Sequence, residues 1–391
     1  MAVLASLRFP HGFLWGAATS AHQVEGNNIN SDWWMREHAV GTTLAEPSGD
    51  ACDSYHRYRQ DMQLLADVGL NAYRFSLEWS RIEPEPGFVS RAQIDHYRRM
   101  VAACRELGLE PVLTLQHLTL PRWMAADGGW RHPEAVRLFA RFTEIALPII
   151  SEGVAWVCTI NEPNLVATTR ELESNKGSLT AAADVQITAA LVHAHRRSRE
   201  VLSQVPGVRS GWTIATQALH PDPGCEQLAQ EYGYPREGVF LEAARGDDFV
   251  GVQAYTRTFI GPSGPRPVPE SAETTLMGWE YFPHALAIGV RHAWDVTGGT
   301  PILVTENGIA TSDDARRIGY TRDALTGLHA AIKEGVHVLG YLHWSALDNY
   351  EWGSYRPTFG LIAVDRETFA RTPKRSARWL GAIAKANAIH V

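Results

Sequence analysis

Little in this chain would tie it to a metal, a nucleic acid or a membrane. Its 391 residues include four cysteines, Cys52, Cys104, Cys158 and Cys225. They show no paired metal-ligand spacing and sit mostly in apolar surroundings, which predicts buried free thiols rather than disulfides or a zinc site. HExxH, clustered Asp/His sets and GxGxxG are all missing, so metal, nucleotide and dinucleotide chemistry have no sequence support and no cofactor is expected. No apolar run approaches the length that spans a bilayer. The opening MAVLASLRFPHGFLWG lacks a basic stretch and an apolar core ahead of a cleavage site, which reads as a cytoplasmic chain. Lys and Arg, 36 against 43 Asp and Glu for a net charge of −7, are scattered rather than striped, which argues against a nucleic-acid partner. A neutral small-molecule substrate fits this balance, and assembly of identical copies stays open.

What is present is a large potential core, with 45% hydrophobic and 20% charged residues. Strand-like runs fall at about 12–18, 70–78, 109–116, 154–160, 209–216, 248–255, 301–305 and 337–344, and helix-like periodicity lies between most of them, for example at 54–68, 91–107 and 185–203. Strand and crossover helix repeated eight times predict an α/β fold, a single (β/α)8 TIM barrel domain over 1–391 with no linker. Long non-periodic stretches at 19–49, 217–236, 256–276 and 345–372 all follow strands, which places long loops on the C-terminal face, where a substrate cleft belongs.

Two of the apolar runs end in glutamate: Glu162 in TINEP (159–163) and Glu306 in VTENG (304–308). One such residue alone would serve equally as a helix cap. Two in matching positions, after strands four and seven, read as a carboxylate pair brought together on one face and suited to glycosidic bond cleavage. Arg74, inside the apolar NAYRFSLEWSRIEP, is costly to bury without a carboxylate partner. Glu306 is the expected one, kept ionised and aimed; a salt bridge elsewhere in the barrel is the alternative. Gln23 and Glu25 fall just past strand one, and the Gln23 amide can both donate to and accept from hydroxyls. His117, at the end of strand three, is expected to bind a sugar hydroxyl. His193 and His195, two apart on a helix, share no face and are assigned to structure and surface. After strand eight, Trp344, Glu351 and Trp352 suit a sugar: an aromatic face packs on pyranose C–H groups and a carboxylate accepts from two adjacent hydroxyls. An ordinary aromatic patch with a solvated Glu is the other reading of these three.

The motifs FLWGAATSAHQVEG (13–26), YRFSLEWSRIEPEPG (73–87), NEP (161–163), DFVGVQAYT (248–256), VTENG (304–308), LDNYEWGSY (347–355) and RTPKRSARW (371–379) occur in order. Together they resemble family 1 of the glycoside hydrolases, the β-glucosidase family, along nearly the whole chain. The resemblance implies a retaining double displacement with Glu306 as nucleophile and Glu162 as acid/base. It further implies that Arg74 and Tyr255 contact the nucleophile, Asn161 the sugar 2-hydroxyl, and Gln23, His117, Glu351 and Trp352 the other hydroxyls. On that mechanism Glu306 starts ionised and Glu162 protonated. Formation of the glycosyl-enzyme removes a negative charge beside Glu162 and turns it into the base for water.

The chain departs from that pattern at Leu118, where an aromatic is usual, at Gln253 and Ala254, in place of Asn-Tyr, and at Asn164, in place of an aromatic; the segment between NEP and the Tyr255 strand is also shorter than usual. These changes predict a wider, less aromatic leaving-group site that admits bulky aglycones. Glu351 stands where the branch acting on phosphorylated sugars carries Ser, and its carboxylate would repel a phosphate. Neutral β-glucosides are therefore the expected substrates, with β-galactosides and β-fucosides secondary, and Arg356 keeps an anionic sugar in view. A transglycosylase on the same barrel and a non-catalytic sugar-binding protein are the competing readings, the second weakened by the presence of both glutamates.

Overall fold

The computed structural model describes residues 6–174 and 182–390. Residues 1–5 of the opening stretch, 175–181 in the shortened segment after NEP, and residue 391 lie outside them. The centre is a closed parallel barrel of eight strands: β1 (Leu14–Ala18), β2 (Ala72–Ser76), β3 (Glu110–His117), β4 (Trp156–Asn161), β5 (Arg209–Ala215), β6 (Val250–Gln253), β7 (Ile302–Glu306) and β8 (Val338–Trp344). Neighbours pair in chain order and β8 returns to β1. Every bound lies within two residues of the expected one.

Around the barrel run α1 (Ser54–Val68), α2 (Arg91–Glu106), α3 (Ala135–Ile150), α4 (Val185–Leu202), α5 (Ala285–Thr297), α6 (Asp314–Lys333) and α7 (Arg375–Ala386). Between β5 and β6 the crossover is different: a helix over Glu226–Gly233, a π turn over Tyr234–Gly238 and a short helix over Val239–Ala243. The main core lies between the barrel and this outer layer. On α3, for instance, Phe139 and Phe142 are fully buried against Trp79, with ring centroids 5.8 and 4.8 Å away; burial of each such ring is worth about 2–3 kcal/mol. α1 stops at Gly69, whose φ of 108° is open to glycine and costly for other residues. Inside the barrel, Ala72, Val112, Trp156, Cys158, Phe249, Leu303 and Leu342 form a separate apolar cluster. The four cysteines are free and buried. No helix among the described residues is long and apolar enough to cross a membrane.

The stretches expected to be non-periodic loops contain short regular pieces. Leu219–Pro221, Thr258–Gly261 and Gly264–Arg266 make a three-stranded sheet on the C-terminal side of β5 and β6, and Asp32–Glu37 and Glu226–Gly233 are helical. Their Gly and Pro punctuation signals turns but does not show which turns are hairpins.

Candidate active site

Glu306 closes β7, and the residues beside it explain why VTENG reads as it does. The Asn307 side chain donates to the Ala254 carbonyl at 2.6 Å and accepts from the Tyr341 hydroxyl at 3.0 Å, tying the end of β7 to both neighbouring strands. At Gly308 a β-carbon would come within 2.0 Å of the Trp344 carbonyl oxygen, so only glycine fits. Glu162 follows β4 in a left-handed conformation, φ 45°, a strain of about 1–2 kcal/mol for a side-chain-bearing residue. It is held by its backbone N–H on the Thr213 carbonyl at 2.8 Å and by the helix Pro163–Ser174, whose first N–H groups bond back to the Glu162 carbonyl.

Arg74 crosses the barrel interior from β2, fully buried, and carries the expected carboxylate partner: its Nη1 donates to Glu306 Oε1 at 2.6 Å. Nη2 donates to Asn161 Oδ1, and Nε to Thr114 Oγ1 at 3.0 Å. The Tyr255 hydroxyl donates to the other Glu306 oxygen at 2.6 Å. Asn161 Oδ1 also accepts from Thr213 Oγ1 at 3.0 Å and Gln253 Nε2 at 2.8 Å. The register that sets His117 beside Asn161, and Asn161 beside Thr213, makes this row possible. Because a guanidinium fixes which end of the Asn161 amide is oxygen, Gln253 must turn its nitrogen toward Asn161, leaving its buried oxygen without a partner. His117 Nδ1 is likewise buried without a partner, while its Nε2 meets Asn161 Nδ2 at 3.2 Å.

The two carboxyls sit in unlike surroundings. Burial pushes Glu162 well above the ordinary carboxylate range, the charge of Glu306 adds to this, and no described residue gives its carboxyl a hydrogen bond. Burial raises Glu306 too, but Arg74 and the Tyr255 hydroxyl oppose the rise. The surroundings therefore favour the proton of the pair on Glu162 over Glu306. Burial, and then the charge of Glu306, push Tyr255 well up, so it remains a phenol donor. His117 is pushed well down by burial and then by Arg74, so it is neutral.

Both carboxyls line one cavity of about 720 Å³, together with Gln253, Tyr255, Trp344, Glu351 and Trp352. Glu351 accepts from Trp344 Nε1 at 3.1 Å and from Gln23 Nε2 at 3.2 Å. Three residues expected to touch substrate do not line this cavity: Asn161, which is held among Arg74, Thr213 and Gln253, and Gln23 and His117. Gln23 is fully buried behind Glu351, its amide also engaged by Ser20, Asn349 and the Tyr350 carbonyl. His117 lies behind Trp344 and Trp352, its ring stacked near each at 5.8 and 6.2 Å. Glu25, two residues beyond Gln23, turns away to Arg81 at 2.8 Å and Tyr97. His195 is buried on Trp212 with Thr159 and Asp247 as partners, a structural role. Arg356 is exposed and outside the lining.

The departures from the family pattern also divide. Leu118, at φ 65°, and Gln253 line the cavity. Ala254 and Asn164 do not: Ala254 packs into the core behind the barrel wall, and Asn164 bridges the N–H and carbonyl of Ala215 at 3.2 and 2.9 Å. Residues that sequence reading did not single out form the outer wall, among them Phe259, Pro265, Pro267 and Val268 on the hairpin after β6, with Arg257 pinned to Glu280 by two hydrogen bonds of 2.7 and 2.8 Å. The apolar letters of 256–276 were the available signal.

The glycosyl hydrolase family 1 profile matches residues 5–221 and 253–389. The chain belongs to glycosyl hydrolase family 1. It is 30% identical to beta-glucosidase A of Acetivibrio thermocellus over 448 aligned positions, covering 98% of this chain and all of that one. The alignment is longer than the 391 residues here, so the relative carries segments this family 1 hydrolase lacks. A protein of Bifidobacterium breve named as a bifunctional beta-D-glucosidase/beta-D-fucosidase is 30% identical, with 95% of this chain and 97% of that one covered. Among solved structures, beta-glycosidase BGL167 superposes with a TM-score of 0.90 at 44% identity, covering 98% of both chains. The beta-glycosidase from Pyrococcus horikoshii gives 0.91 at 32%, covering 99% and 97%.

Proposed function

We propose that this family 1 hydrolase cleaves neutral β-glycosides, β-glucosides first and β-galactosides and β-fucosides second, by a retaining double displacement. The unlike surroundings of the two carboxyls carry this reading. Glu306, held by Arg74 and Tyr255, attacks the anomeric carbon as its bond to the leaving oxygen breaks. Glu162 gives its proton to that oxygen. Once Glu306 is esterified its charge is gone, Glu162 falls toward the ordinary range, and as base it takes a proton from the water that releases the sugar. The unpartnered Gln253 oxygen supplies buried polar capacity at the sugar end, and Glu351 favours neutral hydroxyls over a phosphate. The names of the relatives support glucosides and fucosides as the sugars. The apolar outer wall supports a bulky, apolar leaving group.

The test is nitrophenol release from β-glucoside, β-galactoside, β-fucoside, β-xyloside and 6-phospho-β-glucoside, with Glu306→Ala alongside, and the anomer of the first product followed by NMR. Activity on neutral sugars, lost in the variant and giving β-product first, is expected. An α-product, or preference for the phosphorylated sugar, overturns the reading. Products formed with added alcohol acceptor separate hydrolysis from glycosyl transfer.

A further inference from the structure

A second cavity, of about 550 Å³, opens on the flank of the barrel and shares no lining residue with the first. Its walls are strand Leu219–Pro221, helix α5 and the helical crossover between β5 and β6. That crossover falls in residues 222–252, the interior stretch that the family profile does not match. The lining is mainly apolar, including Leu219, Ala229 and Val296. Two exposed large hydrophobics stand at its rim, Tyr234 at 54% and Ile288 at 40% exposure.

Four charged groups lie among these walls, Glu226, Glu237, Glu242 and Arg245, and of these Glu237 is the buried one. Glu237, presented by the π turn, is 4% exposed. One of its carboxylate oxygens accepts from the Gln217 N–H at 3.1 Å. The other faces His292 Nε2 at 3.6 Å, beyond hydrogen-bond reach. The nearby cation Arg245 is already paired with Glu242 at 3.3 Å. A carboxylate taken from water into an apolar cavity with half its bonding unused is costly, and a cation brought to it recovers that cost. The volume suits a small molecule and is too small for a folded partner.

We propose that this cavity is a second small-molecule site, taking an apolar ligand that carries a protonated amine, with the amine on Glu237 and the apolar body against Leu219, Ile288 and Val296. The two cavities share a wall. Thr216 and Gln217 line the first and Ala218 and Leu219 the second. Gln217 accepts at its carbonyl from Thr258 N at 3.1 Å, and Leu219 pairs with Thr258 in the sheet that carries the outer-wall hairpin. A β-carbon on Gly289, which lines the second cavity, would meet Thr216 Oγ1 at 2.2 Å, so the two linings are in direct contact there. Occupancy of the flank site bears on the same backbone that positions the hairpin.

Benzylamine, with benzyl alcohol as its neutral match, tests the site by calorimetry on wild type, Glu237→Gln and Ile288→Lys. Glu237→Gln keeps an acceptor for the Gln217 N–H, and Ile288 is on the exposed rim, so the two variants do not share one folding risk. Benzylamine is expected to bind wild type and to weaken by at least about tenfold in both variants, the scale of one charge-assisted hydrogen bond; benzyl alcohol should bind weakly throughout. Equal benzylamine affinity in all three proteins would put the amine on Glu162 and Glu306 and overturn the site, as would no binding to wild type. Binding is read directly and stands apart from the proposed reaction. The coupling rests on that reaction: the KM ratio of a bulky to a small aryl glucoside should move with bound benzylamine in wild type and stay fixed in Ile288→Lys, and a ratio that never moves overturns the coupling.

Discussion

The inner end of the first cavity and its outer wall are built by different rules. At the inner end Arg74, Asn161, Thr213, Gln253 and Glu306 sit on barrel strands whose neighbours are fixed by pairing, and each is hydrogen-bonded to at least one of the others. At the outer wall Phe259, Pro265, Pro267 and Val268 lie on a short hairpin and contribute apolar surface. A change at the inner end leaves a buried polar group unpaired, whereas a change at the outer wall only alters shape and area. On the proposed reading, reaction chemistry therefore belongs to the barrel, and choice of leaving group to the loops.

The sharpest break in this contrast is Glu306→Ala. Loss of the attacking carboxylate should lower kcat by roughly 10⁴–10⁶, the scale on which removal of an enzymic nucleophile reads, for every leaving group alike. Glu162→Gln should split by leaving group instead: about 10²–10⁴ lost with a poor one, measured on an alkyl glucoside, and much less with dinitrophenol, which departs without a proton. Equal losses on both substrates would remove Glu162 from the acid role.

The same pair sets the pH profile. On the proposed double displacement, activity needs Glu306 ionised, so kcat/KM rises with pH through its pKa; it needs Glu162 protonated, so kcat/KM falls as pH rises through that of Glu162. Burial raises both, and Glu162 lacks the opposing contacts that Arg74 and Tyr255 give Glu306. The bell should therefore sit above the ordinary carboxylate range, with its alkaline limb absent in Glu162→Gln assayed on an activated aryl glucoside.

Arg74→Met tests how far the inner end depends on one cation. Glu306 would remain buried with only Tyr255 beside it, which raises its pKa further and moves the acid limb to higher pH. Urea unfolding should show a loss of about 3–5 kcal/mol, the usual result of removing one partner of a buried ion pair. A loss below about 1 kcal/mol would mean that water or Asn161 takes over the role of the guanidinium.

The contrast also explains what could be read from residues alone. β4 and β7 announce themselves as unbroken apolar runs, so the positions of Glu162 and Glu306 were legible, and the cost of burying Arg74 pointed to a partner. Gln23 was legible as polar and near the rim, but not that Glu351 would stand in front of it, because strand pairing fixes where a loop begins and not which side chain reaches furthest. Asn164 and Ala254 looked like substrate positions from their neighbours in sequence; strand alternation turns Ala254 away from the face of Gln253, and Asn164, in the first turn of its helix, is taken up by the Ala215 backbone. The stretch 256–276 was legible as a loop on the cleft face, but its Gly and Pro did not show that it folds as a hairpin, and the flank cavity escaped because its walls come from three separate stretches between 218 and 296.

The mildest change expected is at the outer wall. Phe259 is a buried residue of the hairpin, Arg257 covers its ring at 4.5 Å, and it lines the cavity. Phe259→Ala removes apolar contact without stranding a charge, since Arg257 keeps both bonds to Glu280. KM for a naphthyl or larger aryl glucoside should rise about tenfold while that for nitrophenyl glucoside moves less than about threefold and kcat on both holds, because a hydrophobic contact of this size discriminates by about 1–3 kcal/mol. A uniform fall in kcat would instead show that the hairpin positions Tyr255, and with it Glu306, and the division between chemistry at the barrel and choice at the loops would then lie further out than this wall.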